Sequence, residues 1–75
     1  MMTTTVPMGT QEMQIEGPSS IASVGIWPKP DGTLGAELAV AESPSWSFVI
    51  SIAPNGQVTT PSIASDYVIS ITDQP

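Results

Sequence analysis

The chain has 75 residues, with seven acidic residues against one base, no histidine and no cysteine, and its formal net charge is −6. This composition excludes disulfides and a zinc site with histidine or cysteine ligands. It also argues against nucleic acid and anionic membranes as partners, because a strongly negative chain repels phosphate groups. Since a chain below about 80 residues rarely buries enough core to be stable by itself, we expect association with other chains.

Residues 1–20 are predicted to form a flexible N-terminal arm. They are rich in threonine, serine, proline and glycine, and only Met13 and Ile15 alternate with polar neighbours. Such an arm is either disordered or adds a strand to a neighbouring chain. We therefore assign Met13 and Ile15 as candidate partner-binding residues.

Residues 21–75 are predicted to form a small β domain. The segment from Ile21 to Trp27 has the composition of a strand, and the proline and glycine residues after it predict a reversal at Pro30 to Thr33. Trp27 stands directly before a proline and is assigned as the third candidate partner-binding residue.

The segment 34–42 has two readings. Its aliphatic residues alternate as in a strand at Leu34, Ala36, Leu38 and Val40. A helical spacing also relates Leu34, Leu38 and Ala41. Alanine and glutamate favour a helix. Gly35 and the neighbouring strands favour a strand, which we predict, with the helix left as the alternative.

The clearest strand runs from Trp46 to Ala53, and Asn55-Gly56 then predicts a tight turn, since both residues tolerate a positive φ. Residues 57–60 are expected to return as a partner strand, and residues 67–72 give a last strand. The predicted core residues share one face of the two longer strands: Trp46, Phe48, Ile50, Ile52, Tyr67, Ile69 and Ile71. The predicted class is all-β, a small sandwich or meander of about four to six short antiparallel strands.

No group of residues predicts catalysis, a cofactor or a metal. General acid-base and nucleophilic chemistry usually need a histidine or a cysteine, and Lys29 is enclosed by two prolines in the predicted turn. The aspartates Asp31, Asp66 and Asp73 are isolated and do not match a calcium-binding loop. We therefore predict a protein that is not an enzyme.

The segment Ile52-Ala53-Pro54-Asn55-Gly56-Gln57-Val58-Thr59-Thr60-Pro61-Ser62-Ile63 resembles short segments of bacteriophage tail-fibre and other virion proteins. In those proteins an Asn-Gly or Asp-Gly turn leads into a Val-Thr-Thr-Pro strand. The resemblance implies a non-enzymatic virion component, often trimeric. It implies no functional residues, because the shared motif is structural.

These features together favour a structural protein of a larger assembly, namely a viral capsid cement or decoration protein that stabilises contacts between coat subunits. The alternatives are a trimeric tail or fibre component, and a sugar- or peptide-binding module that uses Trp27 and Tyr67 as its platform. Expected partners are larger coat or assembly subunits and further copies of the chain, with a trimer favoured.

The expected location is the virion, or otherwise the cytoplasm. Residues 1–10 lack the basic and apolar regions of a signal peptide. The sequence also contains no apolar run near the roughly 20 residues that span a bilayer.

Overall fold

The structure is a computed structural model that describes residues 1–43 and 45–74; Pro75, the end of the predicted β domain, lies outside this part of the chain. The elements, in chain order, are the strands β1 (Met2–Met8), β2 (Gln11–Gly17), β3 (Ile21–Pro28), β4 (Leu34–Val40), β5 (Ser47–Ile52) and β6 (Val58–Thr59), a 3-10 helix (Ser62–Ala64), and β7 (Val68–Asp73). The predicted all-β class is confirmed. The described residues form seven strands, more than expected, because the predicted arm contributes two of them.

The strands form two antiparallel sheets, with the orders β1-β2-β7 and β3-β4-β5-β6. The second sheet is a meander of consecutive strands. The first sheet joins the N-terminal hairpin to the last strand, so that Met13 pairs with Ile71 and Ile15 with Ile69. The chain therefore crosses between the sheets twice, after β2 and after β6.

The prediction of a flexible arm at residues 1–20 is wrong. Gly9, with φ of 72°, closes a hairpin in which β1 and β2 pair along their whole length. Met13 and Ile15 are 0% and 1% exposed, so neither is available to a partner. The physical reason is the pairing with β7, whose isoleucines continue the apolar face of β2 and bury it within the same chain.

One hydrophobic core takes side chains from both sheets, which therefore form a small sandwich. Its buried members are Met13, Ile15, Ile21, Ala36, Leu38, Val40, Phe48, Ile50, Ile52, Ala64 and Tyr67. Ile69 and Ile71 are half-buried and pack against this core, as their alternation predicts. No buried side-chain nitrogen or oxygen in the described residues lacks a hydrogen-bond partner.

The ambiguous segment is a strand, as predicted. β4 lies between β3 and β5, and Leu38 pairs with Val24 on one side and with Phe48 on the other. Backbone hydrogen bonding along both edges outweighs the helical propensity of its alanine and glutamate residues.

Both predicted reversals are confirmed. The backbone N–H of Lys29 donates to the carbonyl of Thr33 at 2.9 Å, which closes the turn between β3 and β4. Gly56, with φ of 89°, donates its N–H to the carbonyl of Ala53 at 2.8 Å in the turn between β5 and β6.

Trp46 is the exception among the predicted core residues, because it is 36% exposed. β5 begins one residue later, so Trp46 has the correct parity but lies at the end of the sandwich, where the core no longer covers it. Its ring centroid is 5.5 Å from that of Phe48, which is 5.2 Å from that of Tyr67. Trp46 therefore ends a row of aromatic rings that leads out of the core.

Candidate binding face on the four-stranded sheet

The solvent side of the four-stranded sheet, which we call the outer face, is built mainly of small side chains. Its residues alternate with the core residues along each strand. The strand register arranges them in three rows: Trp27, Gly35, Ser51 and Thr59; Gly25, Glu37 and Val49; and Ser23, Ala39 and Ser47. The result is a flat surface on which one indole stands out.

The indole of Trp27 lies flat over Gly35. A methyl group on Gly35 would be 2.4, 2.5 and 2.7 Å from the ring atoms Cε2, Cζ2 and Nε1. Cε2 is bonded to both of the other atoms and is the nearest of the three, which places Gly35 beneath the ring face, since an approach in the ring plane would bring Cζ2 and Nε1 closer than Cε2. One face of the indole therefore packs on the sheet while the other faces solvent, in agreement with the 39% exposure of Trp27.

Two side chains of opposite charge, Lys29 and Glu37, reach the outer face, and each forms a hydrogen bond with a serine hydroxyl. The ammonium Nζ of Lys29 donates to Ser51 Oγ at 2.8 Å, and Ser47 Oγ donates to Glu37 Oε2 at 3.1 Å. Lys29 is the only base in the chain, and Glu37 is one of its seven acidic residues. The outer face is therefore close to neutral, although the whole molecule is strongly acidic.

Open space and an exposed aliphatic side chain lie beside the indole. A methyl group on Gly25 would meet nothing within 4 Å, and Val49 is exposed. Gly25 is two residues from Trp27 on β3 and pairs with Glu37 on β4. The residues Trp27, Gly25 and Glu37 are thus neighbours in the sheet, while the Glu37 carboxylate is directed toward Ser47 on β5.

The solvent side of the three-stranded sheet has a different character. Alternation along β2 turns Glu12, Gln14 and Glu16 outward, and hydroxyl residues of β1 and β7 flank them. Val68 on β7 is the large apolar exception, with 66% exposure. This side is a solvated acidic surface and lacks an aromatic anchor.

The structure separates the three predicted partner-binding residues. Trp27 lies on the outer face, whereas Met13 and Ile15 are buried on the inner side of the other sheet. The sequence does not predict that Gly35, Glu37 and Ser51 are neighbours of Trp27. The signal that reveals them is the pairing register, since small residues on facing strands form a surface only when the strands are aligned.

Two titratable groups have shifted pKa values for structural reasons. The hydroxyl and backbone N–H of Thr33 donate to Asp31 Oδ1 at 2.6 and 3.0 Å, and these bonds lower the pKa of the Asp31 carboxyl below 3.8. Burial raises the pKa of the Tyr67 phenol above 10.0, and the charge of Asp66 adds to the effect, while a backbone hydrogen bond from Ser19 opposes it. Asp31 shapes a turn and Tyr67 belongs to the core.

Within residues 1–43 and 45–74, no three Asp, Glu, His or Cys side chains are grouped so that they could hold a metal ion together. The same residues enclose no pocket. No helix in the described chain has the length and apolar character needed to cross a membrane. What the outer face offers is a flat surface with one aromatic platform.

Comparison with known proteins gives no match: no family model, no curated protein and no solved structure is significantly similar to this chain.

Proposed function

We propose that this protein is a non-enzymatic structural component of a larger protein assembly and docks on a partner subunit through its outer face. The observation that carries the proposal is the contrast between this nearly neutral face, with Trp27 and Val49 exposed, and the acidic remainder of the molecule. Protein interfaces are depleted of charge at their centre and enriched in aromatic anchors.

The size of the outer face favours an assembly of many copies. With a strand spacing of about 4.8 Å and a rise of about 3.4 Å per residue, four strands of 8, 7, 6 and 2 residues cover roughly 375 Å². A typical stable interface buries about 800 Å² on each partner, so one such contact is weak. A capsid cement or decoration protein, which repeats the same contact over a lattice of coat subunits, gains strength from the number of contacts.

Sedimentation of the native protein from its source through a sucrose gradient tests this proposal. We expect the protein to migrate at constant stoichiometry with particles far larger than its own 7.8 kDa. Trp27→Leu should reduce the share in the heavy fractions, whereas Val68→Ala, on the other sheet, should leave it unchanged. Migration of the unmodified protein in the lightest fractions alone would contradict the assembly role.

A trimeric tail or fibre component is the second candidate. The observation that favours it is that long strands, β1 in one sheet and β3 in the other, lie at an edge, because an edge strand can pair with a strand of another copy. A stable trimer of the purified chain, found by light scattering, would support this candidate over the cement protein.

A sugar- or peptide-binding module is expected to use Trp27 and Tyr67 as its platform, and of these two only Trp27 is exposed. Tyr67 is buried with its ring against Gly17, so it does not form a platform together with Trp27. Trp46 is exposed as well, but it lies at the end of the sandwich on the core side of β5. The outer face therefore has one indole and no second aromatic ring, which gives this candidate less support than the other two.

A further inference from the structure

The free face of the Trp27 indole is suited to a planar cation. Gly35 occupies the inner ring face, so the electron-rich outer face is presented parallel to the sheet. An indole is the aromatic ring that attracts cations most strongly, and a guanidinium is planar and stacks on it over a large area. A neutral planar group gains only the stacking, and a lysine ammonium gains only the attraction of its charge.

The charges around the indole favour the approach of a cation from one side. Glu37 pairs with Gly25 on the side of the Trp27 row away from the Lys29 backbone, and its carboxylate accepts a hydrogen bond from Ser47 on β5. The Lys29 ammonium is bonded to Ser51, which lies in the Trp27 row but on β5, away from Gly25. The Glu37 side chain is exposed, so if it turns from Ser47 toward β3, its carboxylate can accept hydrogen bonds from a guanidinium that stacks on the indole and lies over Gly25.

The chain cannot supply this cation to another copy of itself. Its single basic residue is Lys29, so the sequence contains no arginine. Two copies, each with a net charge of −6, also repel one another. A guanidinium on the outer face must come from a different and more basic chain, which the acidic molecule attracts over a distance.

We propose that the docking partner presents a basic surface and places an arginine side chain on the free face of Trp27, with its guanidinium directed toward Glu37. This inference rests on the proposed function and deepens it, because it names the chemistry of the partner. It also assigns the indole, the open position at Gly25 and the Glu37 carboxylate to one binding site.

Titration of the full chain with three matched peptides tests the inference. The peptides have the sequence Gly-Ser-Xaa-Gly-Xaa-Ser-Gly, in which Xaa is arginine, lysine or citrulline; citrulline keeps the planar shape of arginine without its charge. The readout is the NMR signal of the Trp27 indole N–H, which Trp46→Phe distinguishes from the only other indole signal. We expect the arginine peptide to bind about tenfold more tightly than the citrulline peptide, with lysine between them.

Salt and substitutions give independent readouts of the same contact. Raising the salt concentration from about 0.05 M to about 0.5 M should weaken binding of the arginine peptide severalfold, because screening shortens the reach of the charges.

Trp27→Leu should weaken binding of the arginine peptide about tenfold. Glu37→Gln, which changes an exposed charge and leaves the core intact, should reduce the preference for arginine over citrulline. Val68→Ala on the other sheet serves as the control and should bind as the unmodified chain does.

Equal binding of the arginine and citrulline peptides would overturn the inference, as would a Trp27 signal that no peptide shifts. A larger shift with a proline-rich peptide or a methyl glucoside would also overturn it and would favour the binding module. The gradient experiment separates the two proposals. If the unmodified protein and Trp27→Leu both migrate with large particles and the peptides do not bind, the arginine site fails while the assembly role stands.

Discussion

At the scale of single residues, two glycines determine where the aromatic rings lie. A methyl group on Gly17 would be 2.2 Å from the nearest ring atom of Tyr67, and one on Gly35 would be 2.4 Å from the indole of Trp27. The two contacts differ in their freedom to relax, because Tyr67 is buried and Trp27 is at the surface. A side chain at Gly17 must therefore strain the core, whereas one at Gly35 would lift the indole away from the sheet.

Gly17→Ala is expected to destabilise the fold, and Gly25→Ala is the matched control. The Tyr67 ring has no free space to move into, so we expect the free energy of unfolding to fall by about 1–3 kcal/mol. Gly25 is also in a strand, but a methyl group there meets nothing within 4 Å, so its substitution should change stability by less than about 0.5 kcal/mol. Urea unfolding followed by circular dichroism measures both values. Equal effects of the two substitutions would show that the Tyr67 ring does not lie against Gly17.

Tyr67 also predicts a loss of stability at alkaline pH. Because burial raises the pKa of its phenol in the folded chain, the folded state holds this proton more tightly than the unfolded state does. The resulting stabilisation is complete below pH 10 and is lost as the pH rises through the folded pKa. Tyr67→Phe should remove this part of the pH dependence.

Absorbance of the tyrosinate measures the pKa directly, because Tyr67 is the only tyrosine in the chain. We expect its titration to occur at higher pH in the folded chain than in the chain unfolded by urea. Coincident titrations would show that the folded structure does not raise this pKa.

At the scale of elements, the N-terminal hairpin is an integral part of the sandwich. Ile15 pairs with Thr4 on β1 and with Ile69 on β7, and it is part of the shared core. The hairpin therefore connects the beginning of the chain to its end and closes one side of the core. Loss of its packing should therefore destabilise the whole fold.

The mild substitution Ile15→Val tests this role. Removing one buried methylene should lower the free energy of unfolding by about 0.5–1.5 kcal/mol, as in other protein cores. Val68→Ala, at an exposed position of β7, should have an effect within about 0.5 kcal/mol. If residues 1–20 were a flexible arm, Ile15→Val would leave the unfolding curve unchanged.

The sequence predicts the strands that depend on neighbouring residues and does not predict those that depend on a partner far along the chain. The strands β3 to β6 follow from turn residues and alternation that lie next to one another in the chain, and the sequence predicts them. The partner of β2 is β7, at the other end of the chain, and a short run with Met13 and Ile15 does not indicate a strand until that partner is known. The same holds for the site: Trp27 is conspicuous by its type and position, whereas Gly35 matters only through the register that places it beneath the indole.

At the scale of the whole molecule, small size and high negative charge both reduce the stability of the isolated chain. A single core in a chain of 75 residues rarely supplies more than about 3–5 kcal/mol of stability. Repulsion among the carboxylates reduces this further, and a basic partner would relieve it. The proposed role in an assembly therefore accounts for the charge, the size and the neutral outer face together.

Light scattering combined with circular dichroism on the purified chain, near neutral pH and over a series of concentrations, shows whether this protein depends on an assembly. We expect a monomeric or weakly associating chain whose free energy of unfolding lies below about 5 kcal/mol. A stable trimer would favour the fibre component instead. A monomer whose stability lies well within the usual range of about 5–15 kcal/mol at every concentration would contradict the claim that this protein depends on an assembly.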